Sequence, residues 1–372
     1  MKWAARRESR LIGNLCFPSP AKHSYPISRT LKATTKARST LASLLNWTGV
    51  TSWKLRQHSR DDVAVLAYHR IIPVNQTDPT VEPGMVVEPD TLDLHLRYLR
   101  RYFEIVPLAY LKSRHSHAPN ARRRPLCALT FDDGWRDFRE YAYPILKAHE
   151  APATVFLPTD FIGTERWFWT DRLAFLLYRI AQLKDGTDRA FQLSDPLLGG
   201  IVCTSRALET KLAEAIAILK PRRMEKIEGF LSELATAVGE EPYPPARAFL
   251  TWEEVQEMYR SGLVSFGSHT AAHSFMTSLT KEQAQHELRR SLDVLVARKV
   301  VNSDFLSFCY PYGSYSEGLS EMVRHAGYHL ATTGEYGWHR HGTNTFTVRR
   351  IPIHQDISAT SAMFASRLAN IL

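Results

Sequence analysis

The stretch ALTFDDGW, residues 128–135, places two adjacent carboxylates directly after a run that is typical of a buried β-strand. In α/β proteins the active groups lie at the carboxyl ends of strands, just before the next helix. Asp132 and Asp133 repel each other unless their roles differ, because neighbouring carboxylates do not ionise easily together. A divalent cation that neutralises one of them leaves the other ionised at neutral pH as a base. The stretch therefore predicts a strand end that combines a metal ligand with a general base.

Short apolar runs alternate with amphipathic helical patterns along most of the chain. The predicted strands are VAVLAYHRI (63–71), LCALTF (126–131), ATVFL (153–157), LVSFG (263–267), FLSFC (305–309), GYHLATT (327–333) and FTVRRIPI (346–353). A strand followed by a helix, repeated about seven times, predicts parallel strands joined by crossover helices. This order alone does not distinguish an open sheet from a closed barrel.

The N-terminal segment departs from this alternation in its charge. Residues 1–60 contain 12 Lys and Arg residues against one acid, Glu8, whereas the whole chain has a net charge of +9, so the remainder sums to −2. We expect this segment to be a basic, largely disordered extension, without regular structure over residues 1–38. Apolar residues at helical spacing predict a short helix within residues 39–55.

A second departure interrupts the remainder of the chain, residues 61–372, which we expect to form the folded domain. Residues 165–250 lack the strand–helix alternation and contain two helical patterns, at about 206–219 and 222–239, on either side of Pro221. We interpret this segment as a helical insertion.

The basic residues do not indicate nucleic-acid binding, because they belong to the extension and are not interleaved with aromatic residues. No G-x-G-x-x-G follows a strand and there is no P-loop, so nucleotide binding is not expected.

No apolar run approaches the roughly 20 residues of a spanning helix, and the N-terminus lacks the pattern of a signal peptide. The sequence leaves the compartment open between the cytoplasm and the periphery of the cell envelope, and it does not define the oligomeric state.

The four cysteines, Cys16, Cys127, Cys203 and Cys309, are far apart and form no C-x-x-C pair. Such cysteines are typical of small buried free thiols. Nothing in their spacing requires an oxidising compartment.

Two further strand ends carry residues that could bind a metal ion or take part in catalysis. In SFGSHTAAHSF, His269 and His273 follow a strand four residues apart, so one helical turn puts both imidazoles on the same face. In SFCYPYGSY, a rigid Pro–Tyr–Gly turn follows the strand and can direct a backbone N–H outward. Two histidines, one carboxylate and an open position suit a catalytic zinc ion. A carboxylate pair, a histidine pair and a turn donor together predict metal-assisted hydrolysis.

At these residues the chain resembles the polysaccharide deacetylase family, also known as carbohydrate esterase family 4 or the NodB-homology domain. The resemblance covers about residues 62–370. The motifs that carry it are TFDDG (130–134), HTAAH (269–273) and YPYG (310–313), with support from AYHRI and RRIPI.

This resemblance implies a distorted (β/α)7 barrel that removes acyl groups, usually acetyl, from N-acetylated sugars or esterified glycans. It implies that Asp132 is the general base and that Asp133, His269 and His273 are the metal ligands. The backbone N–H of Tyr312 is expected to hold the oxyanion. The YPYG form is similar to the subgroup that acts on poly-N-acetylglucosamine and related exopolysaccharides.

Three features depart from the family pattern. Many members have an arginine where this chain has Cys309, and that arginine braces the catalytic aspartate. The Asp-Trp motif that usually supplies a buried carboxylate is not visible. The late Leu-x-His motif, which carries the general acid, has only a rough counterpart in IPIHQD, which makes His354 the candidate acid.

The sequence thus predicts a metal-dependent deacetylase, with zinc as the expected divalent ion, that acts on a glycan or glycolipid containing N-acetylhexosamine. Trp167, Trp169 and Trp338 are candidates for stacking on sugar rings. One alternative is hydrolysis of a different bond on the same fold, as in a deformylase or an acetyl-ester esterase. Another is a catalytically inactive barrel that binds glycans, for which the missing arginine at Cys309 is the main argument.

Overall fold

The fold is given by a computed structural model, which describes residues 31–59, 61–76, 81, 83–113, 124–182, 193–202, 208–244 and 246–371. Most of the expected disordered extension, together with Cys16 and Cys203, lies outside the described residues. The other two cysteines, Cys127 and Cys309, are buried free thiols, as the sequence predicts.

Ten strands lie in the described residues. They are β1 (Val63–Tyr68), β2 (Arg70–Ile71), β3 (Val86–Val87), β4 (Glu104–Ile105), β5 (Leu126–Phe131), β6 (Ala153–Leu157), β7 (Val264–Ser268), β8 (Ser307–Cys309), β9 (Leu330–Tyr336) and β10 (Val348–Pro352). Eight of them form a parallel sheet in the order β1-β10-β9-β8-β7-β6-β5-β4, and β2 pairs with β3 separately. Because β1 also pairs with β5, seven strands close into a barrel and β4 lies outside it.

The closure is made by β1, which pairs with β5 along its full length and with β10 on its other side. The barrel is irregular on the side of β8, where β7 and β8 pair only at Ser268 and Phe308, and the register shifts between β9 and β10. The expectation of a distorted (β/α)7 barrel is confirmed, and the open sheet is excluded.

Fourteen α-helices lie in the described residues. They are α1 (Leu31–Trp47), α2 (Val50–Leu55), α3 (Pro89–Tyr102), α4 (Tyr110–Ser113), α5 (Tyr143–Ala148), α6 (Trp169–Gln182), α7 (Pro196–Val202), α8 (Leu208–Leu219), α9 (Met224–Val238), α10 (Trp252–Arg260), α11 (Lys281–Ala297), α12 (Glu317–His325), α13 (Gln355–Ser358) and α14 (Ser361–Leu368). Reciprocal capping boxes start α10 at Thr251 and α11 at Thr280, which fixes where the chain enters these crossover helices.

Alternate residues of the barrel strands belong to two different apolar layers, because successive side chains of a strand point to opposite faces. The inner layer contains Val63, Val65, Leu126, Ala128, Phe156, Cys309, Leu330 and Val348. Val106, Leu108 and Leu111, which follow β4, pack in the same cluster and close the barrel beside the amino ends of β1 and β5. The carboxyl ends of the strands therefore remain available for polar side chains.

The helices α6 to α9 form a separate apolar cluster in the predicted insertion, centred on Leu173, Leu176, Leu231 and Leu234. The two helices predicted there correspond to α8 and α9. This lobe has its own core, so it does not depend on the barrel interior for apolar burial.

The helix predicted within residues 39–55 is present as two helices, α1 and α2, which are separated at Thr48 and Gly49. The expectation that residues 1–38 lack regular structure is wrong for residues 31–38, which form the first two turns of α1. The physical reason is tertiary packing: α1 lies against α13 and α14 and buries Ala42.

None of the helices in the described ranges is long and apolar enough to span a membrane.

The close contact between Gly313 and Gly334 generates a prediction about stability. Both Gly313 and the exposed Gly262 have a positive φ, of 66° and 73°, but only Gly313 faces backbone, since an added Cβ would lie 2.3 Å from Cα of Gly334. Gly262→Ala should cost about 1–2 kcal/mol for the left-handed conformation alone. Gly313→Ala should cost at least about 3 kcal/mol, because steric overlap is added. Denaturant unfolding measures both, and equal losses would contradict the described contact.

Candidate metal centre and active site

Asp132 and Asp133 follow β5 directly and lie at the carboxyl end of the barrel, where both are buried. The backbone N–H of Asp132 still donates to the carbonyl of Tyr68, at 2.9 Å, and so continues the sheet. Asp133 then turns the chain with a φ of 73° and Gly134 with a φ of 64°. A Cβ at Gly134 would lie 2.7 Å from Leu157, so glycine lets the turn pack against β6. The turn points the two carboxylates in different directions.

Asp133, His269 and His273 converge to form a possible metal cluster. One carboxylate oxygen of Asp133, Oδ1, lies 3.3 Å from Nε2 of each histidine. Two ligands about 2.0–2.1 Å from one tetrahedral ion are about 3.3 Å apart, so these separations suit a shared zinc-sized ion. The donor set of one oxygen and two imidazole nitrogens also fits such an ion.

Neighbouring groups orient these ligands. Nδ1 of His269 lies 2.8 Å from the carbonyl oxygen of Cys309, and a hydrogen bond there leaves Nε2 available to a metal ion. The indole N–H of Trp135 donates to Oδ2 of Asp133 at 3.0 Å, which leaves Oδ1 facing the histidines. The ring of His273 stacks on Phe168 at a centroid distance of 4.2 Å. Each ligand is therefore held by an interaction outside the cluster.

Burial and the two histidines act in opposite directions on the pKa of Asp133. Burial raises it, but hydrogen bonds from His269 and His273 outweigh burial, and the pKa lies well below its ordinary value. Burial lowers the pKa of His273, whereas at His269 the interactions with Cys309 and Asp133 outweigh burial and raise the pKa. The site therefore presents an ionised carboxylate to any cation that enters.

Arg350 holds the other aspartate, Asp132. Its guanidinium extends from β10 and donates to both carboxylate oxygens, at 2.7 and 2.8 Å. Burial raises the pKa of Asp132, but the charge and hydrogen bonds of Arg350 outweigh burial and lower it overall. Asp132 is therefore an ionised carboxylate of fixed orientation.

Cys309 lies beside this ion pair. Its sulfur is 3.2 Å from a nitrogen of Arg350 and 3.6 Å from Oδ2 of Asp132. Asp132, His269 and Cys309 are also close enough to form a second metal cluster. The guanidinium of Arg350 opposes a cation there, because it already neutralises Asp132. The candidate metal centre is therefore the cluster on Asp133.

The turn after β8 brings Tyr312 to the same end of the barrel. Tyr312 has a φ of 58°, which is uncommon for an aromatic residue, and its ring lies 4.9 Å from that of His273. Gly313 packs on Gly334 of β9 and fixes the position of the turn. The insertion also reaches this turn, because the ammonium of Lys220 lies 4.4 Å from the ring of Phe275 and 5.3 Å from that of Tyr312.

His354 follows β10 and precedes α13, and its Nδ1 contacts the carboxylate of Asp356. In the described part of the chain, no hydrogen bond or ion pair joins His354 to Asp132 or Asp133. Another histidine, His69, lies closer to the carboxylates, with Nε2 3.7 Å from Oδ2 of Asp132 and a side chain that is 24% exposed. His69 directly follows β1, the strand that pairs with β5.

The sequence interpretation assigned no role to Arg350 or His69. Both lie in segments that support the family resemblance, RRIPI and AYHRI; His69 directly follows β1, whereas Arg350 lies within β10. The rule that identified Asp132, polar residues at strand ends, would have indicated His69 but not Arg350. Of the three tryptophans, Trp338 is buried and donates to the carbonyl of Leu368, so it belongs to the core and does not face a sugar. Trp167 and Trp169 are half-buried.

A family model described as Polysaccharide deacetylase matches residues 120–331, more than half of the chain. The chain belongs to the polysaccharide deacetylase family. By membership of this family the protein is a deacetylase, and therefore a hydrolase. No curated protein sequence matches the chain.

Solved structures of this family have the same fold. The deacetylase PplD from Streptococcus pyogenes, in complex with acetate, is 20% identical, with 80% of this chain and 94% of that chain covered and a TM-score of 0.51. IcaB from Ammonifex degensii is also 20% identical, with 82% and 97% covered and a TM-score of 0.51. BC0361, a polysaccharide deacetylase from Bacillus cereus, is 18% identical, with 82% and 69% covered and a TM-score of 0.50.

The Arg350–Asp132 ion pair generates a prediction for this deacetylase. Arg350→Met leaves a buried carboxylate without its cation, which should cost about 3–5 kcal/mol of stability at neutral pH. Arg350 lowers the pKa of Asp132, and its removal leaves burial to raise that pKa. The penalty should therefore shrink as the pH falls and Asp132 becomes protonated.

Denaturant unfolding in EDTA at pH 5 and pH 8 measures this effect. The matched control is the double variant Arg350→Met/Asp132→Asn, which carries no charge at the pair and should be more stable at pH 8 than Arg350→Met alone. A penalty that is the same at both pH values would show that the ion pair is not as described.

Proposed function

We propose that this deacetylase is metal-dependent and removes N-acetyl groups from a glycan or glycolipid that contains N-acetylhexosamine. The observation that carries the proposal is the position of Asp132, braced by Arg350, next to the Asp133–His269–His273 cluster. Metal-assisted hydrolysis of an amide uses a base beside the metal site, because the attacking water must lose a proton. The family supplies the substrate class, and PplD, which has the same fold, was solved with acetate, the acid that deacetylation releases.

Asp133, His269 and His273 would hold the ion, and zinc suits one carboxylate and two imidazoles. When bound, a divalent ion supplies a Lewis acid that polarises the amide carbonyl and lowers the pKa of water.

The chain's own residues have two roles in the attack. Asp132 takes a proton from the water, and Arg350 keeps it ionised through neutral pH because the ion pair lowers its pKa. The backbone N–H of Tyr312 donates to the carbonyl oxygen as negative charge develops there. The turn of Pro311–Gly313, held against Gly334, keeps that N–H in a fixed position.

An acid must then protonate the leaving amine, since an amine leaves poorly as an anion. The family resemblance assigns this role to His354, whose partner Asp356 orients its ring. The position of His69 favours it as a second candidate, because it is partly exposed and lies 3.7 Å from Asp132. Both histidines follow strands that flank the closure of the barrel, so both lie at the catalytic end.

The sequence left two alternatives to this proposal, an inactive glycan-binding barrel and a hydrolase of a different bond. The inactive glycan-binding barrel relied on the missing arginine at Cys309, and Arg350 now provides a brace for Asp132. A different C–N or ester bond remains compatible with the same side chains. We favour an N-acetylated exopolysaccharide of the poly-N-acetylglucosamine type because of the YPYG motif. Release of acetate from chitooligosaccharides and poly-N-acetylglucosamine, with and without chelator, tests the proposal, and release of formate or of ester-linked acetate alone would replace it.

Measurements of metal content and rate should distinguish the roles of Asp132 and Asp133. Asp133→Asn and His269→Ala remove a ligand and should lose both the metal ion and activity. Asp132→Asn should retain the metal ion while acetate release falls by roughly 10²–10⁴-fold, the usual contribution of a general base. Metal analysis of the purified variants gives the distinction. If Asp132→Asn loses the metal ion and Asp133→Asn retains it, the two assignments are reversed.

The two candidate acids, His69 and His354, can be distinguished by how their variants hydrolyse substrates with different leaving groups. The variant that lacks the acid should slow hydrolysis of an N-acetyl amide far more than that of p-nitrophenyl acetate, whose leaving group needs no proton. It should also lose the alkaline limb of the pH–rate profile while retaining the metal ion. We expect this behaviour from either His69→Ala or His354→Ala, with the other variant as its control. If both variants slow the two substrates equally, neither histidine is the acid.

A further inference from the structure

Large apolar side chains are exposed on α1 and α2 to an unusual extent. Among the large apolar residues that are exposed in the described part of the chain, five lie within 13 consecutive positions. They are Leu41, Leu44, Trp47, Val50 and Trp53, and we call them the α1–α2 patch. Trp47 is 84% exposed and Trp53 is 55% exposed. Tryptophan is rarely left in water without a partner, because it carries a large apolar surface.

The patch lies on a face of α1 that does not contact the barrel. Leu41, Leu44 and Trp47 are three residues apart and therefore form one stripe along the helix. Ala42 is buried on the opposite side, where α1 packs against α13 and α14. Helix α2 repeats this arrangement, with Thr51 buried and Val50 and Trp53 exposed. The two helices thus use one face for the protein and leave an apolar face outside.

The charged residues of the segment that contains α1 and α2 are all basic. Lys36 on α1, Lys54 on α2 and Arg56 directly after α2 are exposed, and the sequence has no Asp or Glu between Glu8 and Asp61. The ammonium of Lys54 lies 5.7 Å from the ring of Trp53, so cationic and aromatic groups are adjacent. The chain from residue 61 onward sums to −2, so the net positive charge of the molecule belongs to this N-terminal segment. Helices of this composition lie in the interface of anionic membranes.

We propose that the α1–α2 patch docks on an anionic membrane surface, with its tryptophans and leucines in the interface and its basic residues at the lipid headgroups. Charge complementarity decides between this partner and a second copy of the chain. Two copies that met at the patch would bring together basic helices without acids, and like charges would oppose the contact. A membrane with anionic lipids offers both the apolar layer and the negative charge.

The position of α1 determines what docking does to the catalytic end. Arg38 lies 3.9 Å from Asp356 of α13, which follows the carboxyl end of β10. Trp47 is nine residues further along the helix, or about 14 Å away. The chain then continues to Val63, at the amino end of β1. A membrane bound at the patch therefore contacts the flank of the barrel and leaves its mouth open to a glycan.

The experiment is co-sedimentation of the full-length protein with vesicles of phosphatidylcholine, with or without phosphatidylglycerol, at 0.1 M salt. We expect binding only when the anionic lipid is present. Trp47→Ser/Trp53→Ser should weaken binding at least about tenfold through lost apolar burial. Lys54→Glu/Arg56→Glu should weaken it by roughly thirtyfold, and added salt should weaken binding of the wild type. The matched control is Leu197→Ser/Val296→Ser, which removes two other exposed large apolar residues outside the patch and should bind like the wild type.

Thermal unfolding and deacetylase activity on a soluble substrate should be unchanged in all four proteins, which separates this proposal from the proposed catalytic function. Equal sedimentation with both vesicle types, or with neither, would overturn it. So would full binding by Trp47→Ser/Trp53→Ser, because charge alone would then explain the attraction. A wild-type dimer in light scattering that becomes monomeric in the same variant would assign the patch to a second copy instead.

Discussion

The buried ion pair between Asp132 and Arg350 constrains the whole catalytic end of the barrel. It joins β5 to β10 across β1, the strand that closes the cylinder. A buried carboxylate or guanidinium is strongly destabilising alone, so each of these residues requires the other in place. Because Asp133 follows Asp132 directly, the same pair also sets where the metal cluster lies. The positions of Asp132, of the Asp133–His269–His273 cluster and of the barrel closure are thus coupled through one contact.

In the proposed mechanism the ion pair also supplies the brace for Asp132 that the family resemblance places at the position of Cys309. A guanidinium can donate to both oxygens of a carboxylate and so fix its orientation, whichever strand carries it. Arg350 reaches Asp132 from β10, and the small side chain of Cys309 on β8 leaves room for the guanidinium. The geometry of the donor is retained although the strand that carries it differs. A local sequence motif does not reveal this exchange.

The sequence predicts features that depend on residues close together in the chain, and it does not predict contacts between residues that are far apart in the chain. Asp132, Asp133, His269 and His273 lie within short motifs at strand ends, so the sequence alone indicates them as site residues. Closure of the barrel depends on pairing between β1 and β5, which strand order does not encode. Arg350 was missed because its partner lies 218 positions away. Helix α1 extends further than its periodicity indicated because α13 and α14, from the other end of the chain, cover it.

Barrel closure also imposes an order on biosynthesis. Leu66 of β1 pairs with Ile351 of β10, so one edge of β1 has no strand partner until nearly the whole chain has left the ribosome. A nascent chain that ends before β10 exposes this apolar edge and holds Asp132 without its arginine. Unpaired edges of this kind attract other strands, and long-range pairing is slow to form. We therefore expect the nascent deacetylase to need chaperone protection until its last strand emerges, and to acquire a competent catalytic end only at that moment.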